Sequence, residues 1–301
     1  MSLVPADFAQ MIEIREGDAG AEWLAALPAQ VDDLLRRWSI RLDGATSYGY
    51  VGIVVPVVRF DGVRAALKVG YPDGESAGEA PALAAWAGRG TALLLERDES
   101  GFALLLERLD PDRSLFSVPV DEGVDVIGGL LSRLHQVAAP DGVPRLSVES
   151  ARWLEQVPAT WDRLGVREDR RLLEAALATW RELGPEADDR LLHRDLHYGN
   201  VLAGEREPWL VIDPKGMAGD PAYDVVPAIW NRLEVLVSAD DPAAAVRRRV
   251  DRLCEAAGID RERAYRWTVA RCVEDLMWTL ETGESGPGGE VLIGSALLAR
   301  L

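Results

Sequence analysis

The sequence predicts an α+β protein of two lobes, in which a small antiparallel sheet precedes a larger, mostly helical part. Two observations lead to this prediction. Apolar, β-branched runs separated by turn sequences fill much of the first third of the chain, and after 107–112 the apolar residues recur at helical spacing. A length of 301 residues leaves room for two lobes. We therefore expect an N-terminal lobe over 1–107 and a C-terminal lobe over 108–301.

The N-terminal lobe is expected to open with a helix over 22–38, where apolar residues have helical spacing. Two β-rich runs joined by a turn at 61–62 then predict a hairpin over 47–70. A helix over 74–90 follows, and two further strands meet at a turn over 98–101. These elements together predict a small sheet with one inserted helix.

The C-terminal lobe begins with three amphipathic segments in succession, over 121–137, 148–164 and 167–183. A short irregular stretch with β-like patches follows over 191–216. Helices then resume and continue nearly to the end of the chain.

Charge and cysteine content narrow the classes of function. The net charge of −17 argues against a nucleic-acid partner, because nucleic-acid binding needs basic patches. The negative charge permits a cationic substrate. The alternative explanation of the charge is that it serves solubility alone. Cys254 and Cys272 lack metal-ligand spacing, so they predict ordinary thiols in helices. The start of the chain has no long apolar stretch and no later segment could span a bilayer. We expect a soluble, cytoplasmic monomer without a membrane partner.

Lysine is unusually scarce in this chain. Of the 33 basic residues, 31 are arginine, and only Lys68 and Lys215 are lysine. Such a bias suggests that lysine is kept where a compact ammonium group is required and a planar guanidinium would not fit. Both lysines are therefore candidates for a function.

The candidate catalytic loop is the segment LHRDLHYGN. It contains the pattern His193-x-Asp195-x-x-x-x-Asn200, and an apolar strand ending on Asp213 follows it, which is the order of parts found in kinase-type phosphoryl transfer. In this interpretation Asp195 is the catalytic base that accepts a hydroxyl proton. Asn200 and Asp213 supply hard oxygen ligands for Mg²⁺. The alternative is a polar turn held by Asx hydrogen bonds.

Upstream residues predict a nucleotide site. Lys68 ends the strand VRAALKV, which is similar to the kinase element whose lysine contacts the α- and β-phosphates of ATP. Glu79 on the following helix is expected to pair with it, with Glu75 one turn earlier as the alternative. The phosphate-covering loop is placed by position alone. We take its tip to be Ser47, Tyr48 and Gly49. Neither lysine fits a Walker A sequence, which excludes a P-loop.

The acceptor is expected to be a small molecule. A protein kinase has a long activation segment after its metal-binding aspartate, but here Asp213 is followed almost at once by a helix start near Asp220. Asp224 is expected to anchor the catalytic loop through backbone hydrogen bonds. Lys215 could contact the γ-phosphate or the acceptor, or be a solvated lysine.

Five stretches carry a resemblance to a known family. They are VVPVVRFDGVRAALKVG, LLERLDP, LHRDLHYGNVLAGEREPWLVIDPKGMAGDPAYDVVPA, VRRRVDRL and AYRWTVARCVEDLMW. The chain resembles the aminoglycoside phosphotransferase superfamily over about 20–285, and is most similar to its streptomycin 6-phosphotransferase and hydroxyurea phosphotransferase group. The resemblance implies a protein-kinase-like bilobal fold, use of ATP and Mg²⁺, and γ-phosphate transfer to an aminoglycoside hydroxyl, with antibiotic resistance as the result. It also places Glu107 and Leu109 in the hinge, with their backbones toward adenine. Arg194 and the glycine-poor nucleotide loop depart from the family pattern.

The resemblance also suggests an acceptor pocket. Streptomycin carries two guanidinium groups, which carboxylates bind in a bidentate manner. The candidate carboxylates are Glu234, Glu274, Asp275 and Glu281, with solvated helix faces as the alternative for each. Hydroxyurea, another antibiotic or a sugar-like metabolite is the alternative acceptor. A catalytically dead ATP-binding module would be expected to lack some of the motif residues, and none is missing.

Overall fold

The computed structural model describes residues 3–74, 76–187, 190–283 and 288–301, so that Glu75 lies outside the described residues. The helices are α1 (Ala6–Arg37), α2 (Glu79–Trp86), α3 (Val120–Leu134), α4 (Leu146–Leu164), α5 (Arg170–Glu182), α6 (Val226–Trp230), α7 (Leu233–Val237), α8 (Pro242–Ala257), α9 (Arg261–Thr282) and α10 (Gly288–Leu298). The strands are β1 (Ile40–Leu42), β2 (Ser47–Tyr48), β3 (Gly52–Arg59), β4 (Arg64–Gly70), β5 (Leu94–Arg97), β6 (Ala103–Glu107), β7 (Asp110–Ser114), β8 (Arg190–Leu192), β9 (Val201–Ala203), β10 (Leu210–Val211) and β11 (Met217–Gly219).

The N-terminal sheet is antiparallel, with the strand order β1-β3-β4-β6-β5 and with β2 paired to β3. Alternation along β4 separates its two faces, because successive side chains in a strand point to opposite sides. Leu67 and Val69 are buried under α1, whereas Lys68 points to the other face, where α2 lies. The sheet thus presents its single lysine to the inserted helix.

The opening helix is longer than the sequence predicts. It begins at Ala6 rather than near 22, and it changes direction at Gly17, whose φ of 60° is a left-handed conformation that glycine adopts without strain. Phe8 and Ile12, before this kink, are fully buried against the sheet. The kink shifts the phase of the apolar pattern, which is why the first part of the helix is not evident from periodicity.

The three amphipathic segments form α3, α4 and α5, each within about one turn of its predicted ends. They pack with α8, α9 and α10 around the largest apolar core, in which Trp153, Trp180 and Trp267 are buried. Trp278, on α9, is 51% exposed and lies outside this core. Cys254 and Cys272 are buried free thiols on α8 and α9, as predicted, and burial raises the pKa of Cys254 to about 12.

The irregular stretch is built from short strand pairs. β8 pairs with β11, and β9 pairs with both β10 and β7. The loop 193–200 therefore leaves one small sheet and enters another, while Asp213 follows β10. A parallel bridge between Thr91 and Val211 joins this stretch to the segment that follows α2.

In the part of the chain that the structure describes, no helix is both long and apolar enough to cross a membrane.

Candidate active site

The catalytic loop begins with a buried histidine. His193 is fully buried, and its Nε2 lies 3.0 Å from the backbone oxygen of Ile212 while its Nδ1 accepts a hydrogen bond from the backbone N–H of Asp195 at 3.2 Å. This pattern requires a neutral ring that carries its proton on Nε2. Burial lowers the pKa of His193, which favours the same neutral form. His193 thus braces the loop.

Asp224 anchors the loop, as the sequence predicts. Its fully buried carboxylate accepts hydrogen bonds from the backbone N–H of His193 at 2.8 Å and of Arg194 at 2.6 Å, and His135 Nε2 lies 3.0 Å from it. The pKa of Asp224 is lowered, because these hydrogen bonds and the facing histidine rings outweigh the effect of burial. Arg194 has a φ of 67°. Residues other than glycine rarely adopt a φ of this sign, so the fold holds Arg194 in an uncommon conformation.

Asp195 is oriented by Asn200. The Asn200 amide Nδ2 donates to the backbone oxygen of Asp195 at 2.8 Å and contacts its carboxylate Oδ2 at 3.3 Å. Because the amide nitrogen is used in this way, Oδ1 of Asn200 is the atom left to bind a metal. The backbone of Asn200 is fixed as well, since its carbonyl accepts from the N–H of Ile212 at 3.0 Å. Asp195 and Asn200 therefore act as one rigid unit.

On the opposite side of the site, Lys68 joins two carboxylates. Its Nζ lies 2.7 Å from both oxygens of Glu79 and 2.6 Å from Oδ1 of Asp213. Burial opposes the charged form of Lys68, but the two carboxylates raise its pKa overall. Burial raises the pKa of Glu79, whereas at Asp213 the two lysines overcome burial and lower the pKa. The expected pairing of Lys68 with Glu79 is confirmed.

The segment after Asp213 packs closely on the start of α2. A Cβ on Gly216 would lie 2.4 Å from the backbone oxygen of Gly78, and one on Gly78 would lie 2.7 Å from the oxygen of Gly216. Only glycine permits this approach of two backbones. The contact joins the N-terminus of α2 directly to the segment that follows Asp213. It therefore sets the position of Glu79 relative to Asp213.

The hinge residues lie where the first sheet ends. Glu107 closes β6, and its side chain accepts from the backbone N–H of Leu93 and from Arg206, both at 3.0 Å. The Leu109 side chain is buried in a small apolar cluster with Ala92 and Leu210. Both side chains are thus engaged by protein contacts, which is the arrangement expected if only their backbones meet adenine.

The loop tip is corrected by the structure. Ser47 and Tyr48 form β2, in register with β3, and the Tyr48 ring packs 5.6 Å from the ring of Phe8. Of the three residues expected at the tip, only Gly49 is part of the turn, where its N–H donates to the carbonyl of Gly52 at 2.9 Å. The packing of the Tyr48 ring against Phe8 of α1 accounts for the difference, because it favours pairing of Ser47 and Tyr48 with β3.

The four candidate acceptor carboxylates separate into two groups. Glu274 and Asp275 lie on α9 beside Tyr223, whose hydroxyl donates to Glu274 at 3.0 Å. Burial raises the pKa of both carboxyl groups, only partly offset by Arg271 and Arg194. Glu234 and Glu281 are exposed and pair with Arg232 and Arg163, respectively. Among the described residues, no contact joins these last two to the catalytic loop.

Arg271 and Asn231, which the sequence did not single out, complete this region together with Trp230. Arg271 lies over the rings of Tyr223 and Trp230, at 4.9 and 5.8 Å, and its charge interacts with that of Asp195. Its Nε and Nη1, together with Trp230 Nε1 and Asn231 Oδ1, are buried without a hydrogen-bond partner among the described residues. Buried polar groups are normally paired, so their concentration here suggests a ligand site. In the sequence Arg271 is one arginine among 31 and carries no distinguishing signal.

Comparison with known proteins assigns the family. The model of the aminoglycoside/hydroxyurea antibiotic resistance kinase family matches residues 37–283. The chain belongs to this family. It is 44% identical to streptomycin 6-kinase of Streptomyces glaucescens over 270 residues, which cover 89% of this chain and 88% of that protein. It is also 44% identical to hydroxyurea phosphotransferase of Kitasatospora aureofaciens over 301 residues, covering 99% and 86% of the two chains.

The fold of this antibiotic resistance kinase is similar to that of a solved structure of spectinomycin phosphotransferase in complex with ADP and spectinomycin. The TM-score is 0.50 at 14% sequence identity, and the match covers 89% of this chain and 93% of the other. The protein-kinase-like α+β fold is confirmed, with its antiparallel N-terminal sheet and helical C-terminal part. The resemblance carried by the catalytic-loop and metal-loop residues is confirmed as well.

Proposed function

We propose that this chain is an ATP-dependent streptomycin 6-kinase, which transfers the γ-phosphate of ATP to a hydroxyl group of the antibiotic. One observation carries the proposal. Asp195 is held by Asn200 on one side of the site, and Lys68 is held by Glu79 and Asp213 on the other. This is the division between base and phosphate-binding groups that phosphoryl transfer requires. The streptomycin 6-kinase relative and the ADP-bound phosphotransferase support the acceptor and the nucleotide.

In the proposed reaction Asp195 accepts the proton of the acceptor hydroxyl as its oxygen attacks the γ-phosphorus. The bond from that phosphorus to the oxygen bridging the β- and γ-phosphates breaks, and ADP leaves. Because the loop is braced by His193 and anchored by Asp224, the carboxylate of Asp195 keeps its orientation during the transfer. Lys68 positions the α- and β-phosphates. Its own position is set by both oxygens of Glu79.

The donor atoms at this site fit Mg²⁺. Asp213 offers a carboxylate and Asn200 an amide oxygen, which are the hard ligands that this ion prefers. No cluster of three or more His, Cys, Asp or Glu side chains suited to a metal occurs among the described residues. Two protein ligands suffice, since Mg²⁺ retains waters and binds phosphate oxygens. When bound, it would neutralise charge on the β- and γ-phosphates.

The acceptor pocket is proposed to lie along α9. Glu274 and Asp275 supply carboxylates for the guanidinium groups of streptomycin, and the open hydrogen-bonding atoms of Arg271, Trp230 and Asn231 suit hydroxyl groups, which both donate and accept. Hydroxyurea is the second candidate acceptor, because the hydroxyurea phosphotransferase relative is equally similar over almost the whole chain. Glu234 and Glu281 are not part of the proposed pocket.

The remaining proposals concern the whole chain. We propose residues 1–107 as the nucleotide-binding lobe and 108–301 as the catalytic and acceptor-binding lobe. Glu107 and Leu109 are proposed to contact adenine through their backbones, and Gly49 to lie over the phosphates. We also propose that the enzyme acts as a cytoplasmic monomer.

A panel of acceptors tests the proposed function. Purified protein is incubated with ATP and Mg²⁺ and with streptomycin, hydroxyurea, an aminoglycoside carrying amino in place of guanidino groups, or an unsubstituted cyclitol. ADP release is measured for each acceptor. We expect streptomycin to give the highest kcat/KM. Release with hydroxyurea alone would transfer the assignment to the second candidate, and no release with any acceptor would refute the proposal.

A further inference from the structure

We propose that Lys215 is a ligand of the γ-phosphate, and that it lets the enzyme distinguish ATP from ADP. The inference rests on the proposed function. It starts from the observation that the only two lysines in the chain contact the same carboxylate oxygen. Oδ1 of Asp213 lies 2.6 Å from Nζ of Lys68 and 3.4 Å from Nζ of Lys215.

The position of Lys215 is fixed. Its side chain is only 14% exposed, and its backbone N–H donates to the carbonyl of His193 at 2.9 Å. Its own carbonyl oxygen would lie 3.0 Å from a Cβ on Gly78, so the backbone is held between the catalytic loop and α2. A solvated surface lysine would have neither constraint. The ammonium group is therefore directed into the site by the fold.

Among the described residues, the carboxylate that Lys215 contacts is one that Lys68 binds more closely. Both oxygens of Glu79 are bonded to Lys68 at 2.7 Å, so that this carboxylate is already used. The separation of 3.4 Å between Lys215 and Asp213 is longer than the 2.7–2.9 Å typical of a charge-assisted hydrogen bond. Lys215 is thus a largely buried cation, and the carboxylate it pairs with among the described residues is shared with a second lysine.

Nucleotide binding changes this balance. In the proposed reaction Asp213 would also supply an oxygen ligand to the metal, and Lys68 would bind the α- and β-phosphates. A buried ammonium group must then be compensated by another anion, because an unpaired buried charge is costly. The γ-phosphate is the anion that remains, next to the same carboxylate. A compact ammonium group fits between Asp213 and a phosphate where a planar guanidinium would not, which agrees with the use of lysine in an arginine-rich chain.

Binding measurements test this assignment without an acceptor. Lys215→Met removes the charge and keeps the length of the side chain, and Lys215→Arg keeps the charge. Affinities for Mg²⁺–ADP and for a Mg²⁺-bound, non-hydrolysable ATP analogue with an imido bridge are measured by calorimetry. We expect Lys215→Met to weaken binding of the analogue by about tenfold or more, with ADP affinity within about twofold of wild type. Lys215→Arg should recover part of the loss. Lys68→Met is the matched control, and it should weaken both nucleotides.

Two results would overturn the inference: an equal loss for both nucleotides in Lys215→Met, or no loss for either. If the wild-type chain bound neither nucleotide, the proposed function itself would fail, and the two failures are therefore distinct.

NMR of the wild-type protein gives an independent test, in which a variant is needed only to assign the two lysine signals. Labelling with [¹³Cε]lysine should give two side-chain NMR signals, because the chain has two lysines. The Lys215→Arg spectrum assigns them, and a variant that fails to fold is replaced by Lys68→Arg. We expect ADP to shift only the Lys68 signal, and the ATP analogue to shift both. A Lys215 signal that responds equally to ADP and to the analogue, or to neither, contradicts the assignment.

Discussion

Asp195 owes its orientation to its neighbours rather than to the loop sequence alone. Asn200 holds its carboxylate, His193 accepts from its backbone N–H, and Asp224 fixes the two residues before it. The motif spacing singles out Asp195, Asn200, Asp213 and Lys68, and the structure pairs Asp195 with Asn200 and Lys68 with Asp213. It cannot predict their hydrogen bonds, because these join segments far apart in the chain.

The placement of Arg271 beside the candidate active site could not be predicted from the sequence. Two guanidinium nitrogens of Arg271 are buried without a hydrogen-bond partner among the described residues. In the sequence Arg271 looks like any arginine on a helix, and only the fold places it over Tyr223 and Trp230. Tertiary contacts decide such a role. Neither spacing nor composition contains that information.

Replacing Arg271 tests the acceptor pocket. In Arg271→Leu we expect the KM for the acceptor to rise by about tenfold to a hundredfold, because charge-assisted hydrogen bonds are lost, while the KM for ATP stays unchanged. Arg266→Leu is the control on the same helix, since Arg266 pairs with Glu182 at the surface. Steady-state kinetics on both variants check this. A similar rise in the KM for ATP in Arg271→Leu would show that Arg271 serves the nucleotide instead.

Among the elements, α2 and the metal loop are linked more tightly than the sequence suggests. The glycines at 78 and 216 are unremarkable in sequence, yet they let the two backbones meet beside Glu79 and Asp213. The predicted order of strands and helices in this region is otherwise confirmed, since periodicity is a local property. The opening helix and β2 were less predictable, because the kink at Gly17 shifts the phase of the apolar pattern and Tyr48 packs against Phe8, which is distant in the sequence.

Gly216→Ala tests this link. The new methyl group would lie within 3.0 Å of Ala82 Cβ and closer still to the Gly78 carbonyl, so the two elements must separate. We expect a loss of about 1–3 kcal/mol in the free energy of unfolding and a lower kcat, because Glu79 and Asp213 no longer hold Lys68 between them. Chemical denaturation and steady-state kinetics measure both effects.

Gly74→Ala is the control for this substitution, because no heavy atom lies within 4 Å of its added Cβ. An unchanged kcat in Gly216→Ala would show that the contact between the two backbones does not position the catalytic groups.

At the scale of the whole molecule, the chain joins a small sheet carrying Lys68 to a helical part carrying the proposed base, Asp195. The two-lobed architecture could be predicted because the change in periodicity is abrupt and the catalytic motif is specific. The acceptor could not, because two relatives of equal identity act, by their names, on chemically different compounds.

The central claim is that Asp195 serves as the base for phosphoryl transfer to streptomycin. Product analysis by mass spectrometry, with wild type and Asp195→Asn assayed side by side with ATP and Mg²⁺, tests it most directly. We expect wild type to form singly phosphorylated streptomycin, with one ADP released per product. The variant should form it at least about 10²-fold more slowly while its affinity for the ATP analogue stays within about twofold. Absence of phosphorylated streptomycin with wild type, or full turnover by Asp195→Asn, would contradict the account.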